Sequence, residues 1–255
     1  MAGQRRPGVW HCRRAAALCA LWAKSDRQKR GEKAMSTPTI LREGTILPEG
    51  QVVRYTFEER ACHWVNGVTY LFCMLTGLAF YSPYLYWMSY VGGSPATART
   101  LHPWVGVFFF VAMLWMHTLW KVQMASIPED QQWKDNMKYY IENRDELLPP
   151  AGRFNAGQKL FYWVMYYAAI ILLLTGVVMW FPELMPRNLH WLLTIIIPIH
   201  AAAALVTIGA FIIHIYMGIL MVPGGLKGIA YGRVSEEWAA HHHRLWYEKI
   251  KKDSR

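Results

Sequence analysis

The stretch LLTIIIPIHAAAALVTIGAFIIHIYMGILMV, residues 192–222, contains no Asp, Glu, Lys or Arg, and its ionisable groups of note are two histidines. A helix that crosses a bilayer needs about 20 mostly apolar residues, so this block reads as one span with residues to spare. Pro198 is expected to mark its first turn or a kink, because proline lacks the N–H that a helix interior uses. Three blocks of the same kind precede it: CHWVNGVTYLFCMLTGLAFY at 62–81, PWVGVFFFVAMLWMHTLWKV at 103–122, and LFYWVMYYAAIILLLTGVVMWF at 160–181. Trp and Tyr gather at the block ends, where amphipathic rings anchor to the membrane interface. The expected fold is an all-α membrane protein: a four-transmembrane-helix bundle over 54–222.

Outside the blocks the chain is polar and basic. Charged residues make up 17% of the whole, below the roughly 25% of a soluble domain. The net charge of +10 lies in the tails and one loop, not on a soluble face bearing aromatics, which excludes a nucleic-acid binder. Lys and Arg also set orientation. The 82–101 connection has only Arg99 and the 182–191 connection only Arg187. The 121–159 connection has six basic residues and the tail after the fourth span has seven. Both termini and the 121–159 loop are therefore expected on the cytoplasmic side of a bacterial inner membrane.

Residues 1–53 read as a basic, poorly ordered extension. Its apolar patch AAALCALW at 15–22 is too short to span, and Met35 offers an alternative start. Residues 223–255 read as a cytoplasmic tail. Ser235, Glu236 and Glu237 open a short helix over 235–251, with His241, His242 and His243 solvated on it. The cysteines, Cys12, Cys19, Cys62 and Cys73, form no CxxC pair, so no c-type haem attachment is expected. Cys62 and Cys73 read as small apolar side chains.

Ionisable groups inside spans are rare and functional by default. Five histidines lie in or beside these spans: His63, His102, His117, His200 and His214. Taken singly, each would read as a satisfied core side chain. Their arrangement favours another reading. His200 and His214 share one span; fourteen steps of about 100° bring them to within roughly 40° of one face, about 21 Å apart along the axis. Depth then pairs His63 with His214 at the cytoplasmic level and His102 with His200 at the periplasmic level. Two imidazoles at one depth on different helices suit the two axial positions of one haem iron. Gly67, Gly77, Gly106, Gly176, Gly209 and Ala201 to Ala204 leave room for a flat macrocycle or for close helix packing. His117 is an alternative ligand at the cytoplasmic level, with a hydrogen-bonded or interfacial role as its other reading. His190, in a connection, reads as structural.

The stretches RACHW at 60–64, LHP at 101–103, FNAGQK at 154–159, TGV at 175–177, IHAAAA at 199–204, IHIYM at 213–217 and GLKGIAYGRVSEEWAAHHH at 225–243 resemble the gamma subunit of respiratory formate dehydrogenase, a di-haem cytochrome b. The resemblance runs from about residue 54 to about 250. It implies two haem b groups, ligated by His63, His102, His200 and His214, and a quinone site beside the cytoplasmic haem lined by Asn155, Gly157 and Gln158. His214 would also face that quinone, for which menaquinone is expected. Lys159 is a weaker candidate, being also suited to an interfacial anchor. The implied partners are an iron–sulfur beta subunit and a molybdopterin or tungstopterin alpha subunit. The chain itself carries no signature of those centres, so formate oxidation falls to the partners. Two other readings stay open: a cytochrome b subunit of a hydrogenase or another membrane oxidoreductase, and a transporter using intramembrane histidines to relay metal or protons.

Overall fold

A computed structural model of the chain describes residues 41–142 and 144–254. The patch at 15–22, Cys12, Cys19 and Met35 lie outside the described residues. From Arg42 onward the chain forms one unit.

Four long helices dominate that unit: α1 (Phe57–Tyr81), α2 (Pro95–Trp120), α5 (Ala156–Trp180) and α6 (Leu193–Tyr216). Two short helices, α3 (Pro128–Asp135) and α4 (Met137–Ile141), fill the connection between the second and third. At about 1.5 Å per residue, 25 residues reach some 37 Å, enough to cross the hydrocarbon core. All four are apolar enough to do so, α6 being counted with its flanking turns from Arg187 to Met221. The outer faces expose Val68, Leu71, Phe108, Val111, Leu174, Val206 and Ile212. In water such a surface would be an aggregation liability; against lipid it is the required one.

Three of the four helices begin earlier than apolarity alone indicates, because polar caps start them. Thr56 and Glu59 form a reciprocal capping box at α1: Thr56 Oγ1 accepts from the Glu59 N–H at 3.3 Å, and Glu59 Oε2 accepts from the Thr56 N–H at 2.8 Å. Ser94 caps α2, with Pro95 in its first turn. His63 and His102 therefore sit about two turns inside their helices, not at the first residue. Pro198 lies within α6, preceded by a 3-10 turn at Arg187–Leu192. Past Tyr216 the coil widens into a π turn, Met217–Met221.

Helix α1 packs along α2, α5 packs along α6, and α2 meets α5 between them. Buried polar groups join the helices, as expected where lipid supplies no hydrophobic drive. Asn66 Nδ2 donates to the carbonyls of Cys62 (2.9 Å) and Ala112 (3.0 Å), tying α1 to α2. The Tyr70 and Thr207 hydroxyls lie 3.3 Å apart, tying α1 to α6. Cys62 is fully buried against Met116, Trp120, Phe154 and Tyr162, in keeping with an apolar role.

The end of the bundle where the described chain begins, at residue 41, and ends, at residue 254, is closed by a small cap. Strands β1 (Ile46–Leu47), β2 (Gln51–Val53) and β3 (Arg233–Ser235) form an antiparallel sheet, with Val52 opposite Val234. Residues 46–53, read from sequence as part of a poorly ordered extension, are thus paired; the partner strand comes from the tail, 180 residues away, where no local pattern shows it. The tail itself is not one short helix. It forms α7 (Gly225–Tyr231), β3, α8 (Glu236–His242) and α9 (Arg244–Asp253). The helix expected over 235–251 breaks at His243, whose φ of −139° and ψ of 54° are not helical. Val52, Val234, Ala239 and Trp246 form the core of this cap.

Arg54 is the centre of the cap's polar interior and is 1% exposed. Its guanidinium donates to the Arg153 carbonyl and lies 3.1 Å from His243 Nε2. It is boxed by the rings of Tyr55, Phe154, Trp238 and Trp246, arginine being suited to aromatic faces. Arg153 returns a bond to the Arg54 carbonyl and pairs with Glu59 at 2.9 Å. His243, expected to be solvated, is instead 2% exposed. Its Nδ1–H donates to the Gly152 carbonyl at 2.8 Å, which leaves Nε2 to accept from Arg54. Burial, then the neighbouring Arg54 charge, pushes its pKa well below the ordinary 6.5.

Candidate functional site

The four histidines occupy two levels of the bundle. His63 on α1 and His214 on α6 lie toward the capped end, with ring centres 6.2 Å apart. His102 on α2 and His200 on α6 lie toward the opposite end, each in the second or third turn of its helix. With metal–nitrogen bonds of about 2 Å, two imidazoles on opposite sides of one metal ion place their ring centres roughly 6 Å apart. The His63/His214 spacing matches that value.

Space for a macrocycle follows the same rows. The residue one turn beyond each histidine, on the same face, is small: Gly67 after His63, Gly106 after His102, Ala204 after His200, Gly218 after His214. A Cβ added at Gly67, Gly106, Gly209 or Gly218 would meet no atom within 4 Å. Gly77 and Gly176 differ, because there the neighbour is a histidine. A Cβ at Gly77 would come 3.6 Å from His102 Cε1, and one at Gly176 only 3.3 Å from His200 Cε1. The donor set, its spacing and these open rows fit haem held by pairs of neutral imidazoles.

Three of the four histidines are oriented by neighbours to which sequence analysis assigned no such role. His102 Nδ1 lies 2.7 Å from Thr76 Oγ1, and His200 Nδ1 lies 2.8 Å from Thr175 Oγ1. The tripeptide Leu-Thr-Gly occurs at 75–77 and again at 174–176, a repeat that could have pointed to both. His214 stacks on Phe161, with centres 4.4 Å apart and planes 7° from parallel. His63 meets Trp64 edge-on, and its Nδ1 is buried without a hydrogen-bond partner.

His117 is directed elsewhere. Its Nδ1 bonds the Tyr162 hydroxyl at 2.5 Å, and its ring stacks on Tyr166 at 4.5 Å. This is the hydrogen-bonded reading of His117, on the α2–α5 contact. His190 is an exposed surface residue bonded to the Met185 carbonyl.

Asn155, Gly157 and Gln158 open α5 at the capped end. Asn155 Oδ1 accepts from the Gln158 N–H at 2.9 Å, and Gln158 Oε1 accepts from the Asn155 N–H at 3.0 Å. This capping box engages both side-chain oxygens and leaves both amide NH2 groups as donors. Phe161, three residues beyond Gln158, links this turn to His214. Gly157 faces the other way: a Cβ there would meet the Trp133 ring at 3.1 Å, so glycine permits close packing of α3. Lys159 is not an interfacial anchor. It is 7% exposed and pairs with Asp130 of α3 at 2.7 Å. Among the described residues no cluster of three or more His, Cys, Asp or Glu could hold a bare metal ion.

The profile of prokaryotic cytochrome b561 matches residues 54–230. The nitrate-inducible formate dehydrogenase cytochrome b556(Fdn) subunit of Escherichia coli K12 is 34% identical over 201 residues, covering 79% of this chain and 92% of that protein. The cytochrome b556(fdo) subunit of the same organism is 31% identical over 201 residues, covering 79% and 94%. The formate dehydrogenase cytochrome b556 subunit of Haemophilus influenzae is 29% identical over 204 residues, covering 80% and 85%. A haem-binding bundle with this pattern of intramembrane histidines and these relatives leads to one assignment: the chain belongs to the prokaryotic cytochrome b561 family, as a cytochrome b subunit of the formate dehydrogenase type.

Proposed function

We propose that the chain holds two haem b groups, one between His102 and His200 and one between His63 and His214, and conducts electrons from the first level to the second. The observation that carries this reading is the sorting of four intramembrane histidines onto two levels of the bundle, His63 facing His214 with ring centres 6.2 Å apart and His102 and His200 set toward the opposite ends of their helices, with His200 and His214 on a single helix. Bound haem supplies one-electron storage at each level. The chain's own part is to fix the imidazoles, exclude water and set the distance between the levels.

The basic residues of the 121–159 connection and of the tail support a capped end on the cytoplasmic side of an inner membrane and a His102/His200 level toward the periplasm. A molybdopterin or tungstopterin alpha subunit then oxidises formate, and an iron–sulfur beta subunit delivers electrons to the His102/His200 level. Quinone, with menaquinone as the expected species, is reduced beside His63/His214 and takes its protons from the cytoplasm. The free amide donors of Asn155 and Gln158 suit a quinone carbonyl, which can only accept. The contribution of Gly157 is indirect, through the packing of Trp133 behind that turn. Charge transfer across the full membrane stores about 2.3 kcal/mol per charge per 100 mV.

The test is the haem content of the purified complex, read from reduced-minus-oxidised spectra. Two b haems per chain are expected, with one retained in His200→Ala. Both haems retained in His200→Ala, or none in the unaltered chain, refutes the assignment.

A further inference from the structure

The geometry points to Thr76 and Thr175 as matched positioning residues that set the tautomer, orientation and donor strength of His102 and His200, so that the potential at that level lies below what bare imidazoles would give. This rests on the proposal that His102 and His200 are haem ligands. Each threonine lies on a helix other than that of its histidine: Thr76 on α1 serves α2, and Thr175 on α5 serves α6.

The direction of each hydrogen bond follows from the hydroxyl's other contact. Thr76 Oγ1 lies 2.7 Å from the Phe72 carbonyl oxygen, and Thr175 Oγ1 lies 2.6 Å from that of Ile171. Two oxygens approach so closely only with a hydrogen between them, and a carbonyl has none to give. The hydroxyl hydrogen is therefore directed to the helix's own carbonyl. The same hydroxyl, 2.7 or 2.8 Å from Nδ1, can then only accept, so the ring carries its proton on Nδ1. Nε2 is left with its lone pair for a metal. The following glycine makes the approach possible: at Gly176 a Cβ would stand 3.3 Å from the His200 ring.

A ligand imidazole that donates its other N–H is a stronger base and a better electron donor. Stronger donation favours the oxidised iron and lowers the potential. Both histidines of this level receive the support. At the other level, among the described residues, no hydroxyl bonds either ring: His63 Nδ1 is buried unpartnered and His214 rests on Phe161. The asymmetry is built into the chain and biases electrons toward the capped end.

Thr76→Val and Thr175→Val keep shape and remove the acceptor; Thr76→Ser and Thr175→Ser restore it. Potentiometric titration of the whole complex, followed by absorbance and by the low-spin haem resonances, is the measurement. In each valine variant the reduced-to-oxidised ratio of one haem at fixed ambient potential should rise several-fold, up to about tenfold, or 59 mV for one electron. The other haem should not move, and serine should reverse the change. Loss of one haem in a valine variant, restored by serine, carries the same conclusion. Two haems retained with both potentials and both resonances unmoved overturns it while leaving the ligand assignment intact. Failure of that assignment shows separately, as two haems surviving His200→Ala.

Discussion

Acidification should release the tail from the bundle. His243 is neutral in the folded chain because Nδ1–H donates to Gly152 and Nε2 accepts from Arg54. A second proton would sit on Nε2, 3.1 Å from a guanidinium nitrogen, in a site closed to water and also near Arg153 and His242. Burial, then Arg54, depresses the folded pKa well below 6.5, while the released tail titrates near that value. Below pH 6.5 the released form binds more protons than the docked form, so docking is at full strength above 6.5 and weakens as pH falls. The slope reaches about 1.36 kcal/mol per pH unit. Integrated from pH 7 to pH 5 for one group that stays neutral while docked, the loss is at most about 2 kcal/mol, or up to some thirtyfold in the released fraction. Hydrogen exchange of 233–253 in the complex in lipid discs, over that pH range, reads the released fraction. Corrected for intrinsic exchange, protection should fall as the pH is lowered, by no more than that factor. In His243→Asn, which cannot titrate, the pH dependence should vanish even though the docked state is weaker. A flat profile in the unaltered chain would falsify the account of His243.

Three other outcomes are expected. Asp130→Asn leaves Lys159 as a buried unpaired charge and should cost about 3–5 kcal/mol in thermal or denaturant unfolding of the purified chain, whereas Asp130→Leu with Lys159→Met should recover most of it. Asn155→Asp keeps the oxygen that caps α5 but loses the NH2 donor, so quinone reduction should slow with stability nearly unchanged, while Asn155→Ala should also lose about 1 kcal/mol of cap. An unchanged quinone rate in Asn155→Asp removes that side chain from the site. His117→Phe should keep two haems, since His117 bonds Tyr162 and stacks on Tyr166; a chain with one haem would make His117 a ligand.

Local sequence was enough for the four spans, because apolar length decides membrane crossing without reference to any partner. It was also enough for His200 and His214 sharing a face, because helical periodicity is a property of one rod. The rotation of each rod about its axis is set by its neighbours, and everything that depends on it had to come from the folded chain. That covers the turning of His117 to Tyr162, the Thr76 and Thr175 hydroxyls opposite His102 and His200, and the ring of Phe161 against His214. The cap was hidden for a related reason. Polar, basic residues on either side of the bundle read as solvated tails until Val52 meets Val234 and Arg54 meets His243. Those pairs are distant in sequence, and a buried charge is tolerated only where every one of its neighbours is already in place.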